Sequence, residues 1–130
     1  MSKEKLHIKR WETICSDVGH LFFVSITTIK WDTVFTVKDS TYSYEFTFEG
    51  GCPYMVFDEA FRSEHVERTG RVGWTFIYED SDFIKLFNPG IIDVHFAPEL
   101  PTHYAIFCED GSLEILSSKE PIIRKCLIEK

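Results

Sequence analysis

Between Tyr42 and Phe48 every second residue is aromatic: Tyr42, Tyr44, Phe46 and Phe48 alternate with Ser43, Glu45 and Thr47. A period of two places the four rings on one face of an extended chain and the polar residues on the other. The segment therefore reads as a half-buried strand. Residues 34–37 continue the β-branched and aromatic character, and Lys38-Asp39-Ser40-Thr41 supplies turn chemistry between the two runs, which predicts a hairpin.

The rest of the chain reads around that hairpin. Leu6, Ile8, Trp11, Ile14 and Cys15 step by three and four from Ile8 onward, which favours a short amphipathic helix, although Leu6 and Ile8 alone would suit a strand. Residues 20–29 (HLFFVSITTI) are apolar on both faces at their start, which predicts a central strand covered on two sides. Residues 54–68 read as a strand-like start followed by an acidic loop or short helix. Val72, Trp74, Phe76 and Tyr78 alternate as a further strand. Ser81 is placed to cap a short helix carrying Phe83, Leu86 and Phe87, and Asn88-Pro89-Gly90 is read as its end. Residues 91–96 read as irregular or a brief strand. Thr102–Cys108 and residues 113–116 flank Glu109-Asp110-Gly111-Ser112, whose Asp-Gly step signals a second hairpin. The run 121–128 is either a last strand or a docking turn.

These elements predict an α+β fold: an antiparallel sheet of about five strands with a few short helices packed on one face, an aromatic-filled β-barrel being the alternative. No repeat, linker or composition shift divides the chain, so residues 1–130 are expected to form a single domain. Phe, Trp and Tyr make up 15% of the residues, enough to supply much of a core. Cys15, Cys52, Cys108 and Cys126 show no CxxC spacing and no apolar leader precedes them, so the expectation is buried, reduced thiols in a cytoplasmic protein. No apolar run approaches the length of a membrane-spanning helix.

Charge is unevenly spread. The chain nets −7, but residues 41–116 alone hold fourteen acids against four bases, a net of −10. Such a field speeds encounter with a basic partner and opposes a polyanion, so nucleic-acid binding by the aromatic strands is not expected. The most clustered acids, Asp58, Glu59, Glu64, Glu67, Glu79, Asp80 and Asp82, are the candidate partner-binding residues.

Catalytic and cofactor motifs are not found. The histidines lack HExxH spacing, and His95, Glu99 and His103 form the only local group, so no metal or cofactor is expected. There is no GxSxG elbow, and Gly50-Gly51 opens no phosphate loop. His103 and Cys108 lie an odd number of residues apart on one strand, hence on opposite faces, and cannot form a dyad. An enzyme is not expected.

One resemblance remains. Trp74, Asp80-Ser81-Asp82-Phe83-Ile84-Lys85, His103-Tyr104-Ala105-Ile106-Phe107, Leu113-Glu114-Ile115-Leu116 and Glu120-Pro121, together with the small acidic character, resemble bacterial immunity-type proteins made against basic nuclease toxins. The resemblance covers the last third to half of the chain and rests on structural motifs, a capped helix and a hairpin. It implies a cytoplasmic module that neutralises a basic protein by complex formation. A carrier enclosing a small apolar ligand between aromatic strands is the alternative.

Overall fold

The structure, a computed structural model, describes residues 7–96 and 98–128. Among the described residues, nine strands form two antiparallel sheets. The five-stranded sheet has the order β1 (Ile8–Arg10), β6 (Thr75–Tyr78), β7 (Thr102–Cys108), β8 (Gly111–Ser117), β5 (Tyr54–Phe57). The four-stranded sheet runs β2 (Phe22–Ile29), β3 (Asp32–Lys38), β4 (Tyr42–Phe48), β9 (Ile122–Leu127). Neither sheet closes into a barrel. Two short α-helices, α1 (Ser63–Arg68) and α2 (Pro89–Phe96), and two 3₁₀ turns, Glu59–Arg62 and Ile84–Leu86, complete the fold.

The aromatic alternation decides how the sheets meet. Tyr44, Phe46 and Phe48 of β4 and Phe35 and Val37 of β3 join Tyr104, Ile106, Leu113 and Ile115 of the other sheet in one buried cluster. Trp11 bridges the layers, its ring centroid 4.6 Å from Tyr104 and 6.1 Å from Phe46. Each such ring removes about 150–250 Å² from water, which fixes the sheets face to face.

β7 and β8 are buried on both faces. Even-numbered β7 residues enter the inter-sheet core. His103, Ala105 and Phe107 point the other way, with Ser112, Glu114 and Leu116 of β8 on the same side. That second face is covered by the helices and 3₁₀ turns: Phe76, Tyr78 and Phe107 meet Val66, while Leu116 meets Phe83, Ile92 and Phe96. The helices thus lie on one face of a five-stranded sheet, and a second sheet, absent from the sequence reading, covers the other.

Other expectations need correcting. The N-terminal pattern forms a three-residue strand, because Ile8–Arg10 pairs with Phe76, Ile77 and Tyr78; Leu6 lies outside the described residues. The run 20–29 forms β2, an edge strand beside β3 rather than a central one, and a bulge at Phe23–Ser25 shifts its register. Asn88-Pro89-Gly90 begins a helix instead of only ending one. Asn88 Oδ1 accepts the Gly90 N–H (2.7 Å), and proline at the first helical position forfeits no intrahelical bond. The aromatic hairpin holds as read, with Asp39 accepting the Thr41 and Tyr42 N–H groups at 2.8 and 2.7 Å and the Tyr44 hydroxyl at 2.7 Å. Residues 54–68 become β5, a 3₁₀ turn and α1. The run 122–127 is the last strand, paired with β4.

Candidate functional site

The covered face of the five-stranded sheet holds a buried charge. Glu114 is 0% exposed in the middle of β8. Arg62, from the 3₁₀ turn after β5, reaches in and donates from Nε and Nη2 to both carboxylate oxygens, the Nη2 bond being 3.2 Å. Its guanidinium also lies 4.0 Å over the Phe57 ring. Burial pushes the Glu114 carboxyl up, but hydrogen bonds from His103 and Arg62 and the Arg62 charge hold it below its ordinary range.

His103 completes the other side. Its Nε2 is 3.0 Å from Glu114 Oε1 and its Nδ1 is 2.8 Å from Ser81 Oγ. Ser81 Oγ accepts the Ile84 N–H at 3.0 Å, so its own proton is available to Nδ1, and the single ring N–H, then on Nε2, to Glu114. The imidazole is stacked on Tyr78 (centroids 4.1 Å, planes 10° apart) and meets Phe83 edge-on. Tyr78 OH in turn pairs with His65 Nδ1 at 2.6 Å. Burial and the neighbouring Arg62 charge lower the His65 pKa, while burial and the Glu114 charge raise that of Tyr78.

Above this network lies a groove of about 510 Å³ lined by Met55, Phe83, Leu86, Glu64 and Asp82 among others, with Arg62, Tyr78 and His103 at its base. Glu64 belongs to α1 and Asp82 to the segment leading into the second 3₁₀ turn. Two of the predicted acids, eighteen residues apart in sequence, therefore line one groove.

The seven predicted partner-binding acids are all exposed, and all sit in or beside the helical layer. Asp58 Oδ1 caps the first 3₁₀ turn through the Ala60 N–H (3.0 Å). Glu59 lines a second groove beyond α1. Glu64 pairs with Arg68 at 3.7 Å, Glu67 with Arg71, Glu79 with Lys9 at 3.6 Å, and Asp80 and Asp82 with Lys85 at 3.2 and 3.7 Å. Exposed pairs of this kind contribute about 0–1 kcal/mol and leave the net charge unchanged. Residues 58–100 hold nine acids against four bases, and one of those bases, Arg62, is turned inward onto Glu114. Its outward charges thus count nine acids against three bases.

Not every acid of the central stretch joins this face. Glu45 pairs with Arg124 on the four-stranded sheet (3.3 Å), Glu109 pairs with His20, Asp110 accepts the Phe23 N–H at 2.9 Å, and Glu114 is buried. The local His95, Glu99, His103 group does not assemble: His95 Nε2 faces the Gly51 carbonyl at 3.1 Å while His103 is held in the Glu114 network. Among the described residues, no three His, Cys, Asp or Glu side chains are placed to hold a metal ion. His103 and Cys108 lie on opposite faces of β7, as their spacing requires.

The Arg62–Glu114–His103–Ser81 chain went unread in the sequence, yet it left a signal. Glu114 is the one charged residue in SLEIL, and a two-residue turn at Glu109-Asp110, one residue before the Asp-Gly step, pairs Cys108 with Gly111, Ala105 with Glu114 and His103 with Leu116. That register alone sets His103 and Glu114 diagonally on a shared face.

No protein-family model, no characterised protein and no solved structure matches this chain. No helix among the described residues is long and apolar enough to cross a membrane.

Proposed function

We propose that this chain is a protein-binding module that neutralises a basic partner by complex formation, and that it acts as a cytoplasmic immunity protein blocking a bacterial nuclease toxin. The observation that carries the reading is the company the acids keep. Phe61 (73% exposed) and Leu86 (70% exposed) stand out from the two 3₁₀ turns, in the same layer as the outward acids of residues 58–100. Large apolar side chains bared amid like charge suit a partner surface carrying apolar sockets and lysine or arginine around them. The acids would set the encounter rate and exclude acidic competitors; Phe61 and Leu86 would slow dissociation.

The test is protection in cells. A basic nuclease domain encoded beside this chain would be expressed with it, and growth should be restored by the wild type. A Glu64→Lys/Asp82→Lys variant should fail to protect while remaining folded. Protection by that variant, or none by the wild type, would refute the proposal.

A hydrolytic reading has one observation in its favour, the Ser81–His103–Glu114 chain at 2.8 and 3.0 Å. Ser81 Oγ is committed to the Ile84 N–H, however, and the imidazole is enclosed between Tyr78 and Phe83. A fluorophosphonate probe distinguishes the two: stable labelling of Ser81 would favour hydrolysis. The carrier reading is less supported, since the rings that would line a cavity are packed against one another between the sheets.

A further inference from the structure

Residues 58–71, comprising the first 3₁₀ turn, α1 and the bend after it, cover β5, β6, β7 and β8 without burying any residue of either helical element. At least three of its side chains contact the layer beneath. Arg62 reaches Glu114 and the Phe57 ring, His65 reaches Tyr78, and Val66 packs against the Phe76–Phe107 cluster. It is undercut from both sides. A groove of about 540 Å³ lies along Glu59, Ser63, Val66 and Arg71, and the groove of about 510 Å³ lies along Arg62, Glu64, His65 and Arg68. At its exit the backbone turns left-handed at Gly70 (φ 71°), Arg71 (φ 57°) and Gly73 (φ 107°).

We propose that residues 58–71 form a strap that opens as a unit while both sheets stay folded, uncovering an apolar shelf made of Phe57, Phe76 and Phe107. Local opening is cheapest where few apolar contacts are lost, and this segment loses chiefly those of Val66. Its strongest contact is ionic. On opening, water re-solvates Arg62 and Glu114, which offsets much of the lost attraction. The latch therefore fixes where the strap docks more than how tightly. β7 and β8, buried on both faces, cannot open without the core.

The inference concerns the free protein and stands apart from any partner. It is tested by native-state hydrogen exchange on the isolated chain. Amides of α1 should show protection factors at least a hundredfold below those of β7 and β8, with little dependence on added denaturant. Arg62→Met should lower α1 protection roughly tenfold, and that of β7 and β8 by no more than the same factor, so that the gap between them persists. Protection and denaturant dependence in α1 equal to those of β7 and β8 in the wild type would overturn the strap. Unchanged α1 exchange in Arg62→Met would overturn the latch.

Discussion

His103 and Glu114 occupy different strands of one hairpin, are not directly opposite, and still place Nε2 3.0 Å from Oε1. The diagonal works because Ala105, the residue directly across from Glu114, is too small to fill the space between them. Arg62 closes the same carboxylate from the covering segment, so one buried charge ties the hairpin to the layer above it.

Removing one member of this pair should be costly and removing both cheap. Glu114→Leu alone strands the Arg62 guanidinium and should destabilise by about 3 kcal/mol, whereas Arg62→Met/Glu114→Leu should recover most of that loss. Urea unfolding of the two single variants and the double variant measures the coupling. Additive losses would show that the two groups do not act together.

Stability should fall with acid in two stages. The folded-state pKa of His65 lies below its usual 6.5, so below that value the unfolded chain binds the proton first and stability declines toward the depressed pKa. Glu114 is likewise held below 4.5; its contribution is complete above 4.5 and is lost as the pH falls through the folded value. Melting temperatures from pH 7.5 to 3 should show a plateau, a shallow decline from pH 6.5 and a steeper loss below 4.5. His65→Gln should abolish the first decline and keep the second.

The thiols should divide sharply. Burial pushes Cys15 up to about 12 and raises Cys52 and Cys108, all three of which are buried, whereas Cys126 is partly exposed on β9. Thiol titration of the native protein at pH 8 should show Cys126 reacting promptly and the other three only on unfolding.

Ser112 carries a small defect. Its hydroxyl is buried on the face that Glu114 shares and finds no hydrogen-bond partner among the described residues. Ser112→Ala should raise stability by about 1 kcal/mol, since an unsatisfied buried hydroxyl costs about that or more. A loss of similar size in urea unfolding would mean that the hydroxyl is satisfied.

Legibility in the sequence followed burial. The hairpin around Asp39 was readable because its strands alternate between a buried and a more open face, and the second hairpin because Asp110-Gly111 breaks two apolar runs, although the turn itself falls on Glu109-Asp110. β2 misled because a Phe-Val-Ile run carries the same composition in a central strand and at an edge, where Val24 and Ile29 stay exposed. Ile8–Arg10 and Pro89–Phe96 were misread because their states depend on a partner strand and a capping Asn88, beyond the reach of periodicity. The candidate acids were chosen by clustering alone. Whether Glu64 and Asp82 would face one groove depended on how the helical layer folds over the sheet, and no local pattern encodes that.

The central claim is that the helical layer, with its outward acids around Phe61 and Leu86, recognises a basic protein. Titration calorimetry against the basic nuclease domain that the proposal expects to be encoded beside this chain, at 50 and 300 mM salt, tests it most directly. The account predicts affinity that falls at least tenfold at the higher salt and falls again for Phe61→Ser/Leu86→Ser. Binding indifferent to both salt and those two side chains would contradict it.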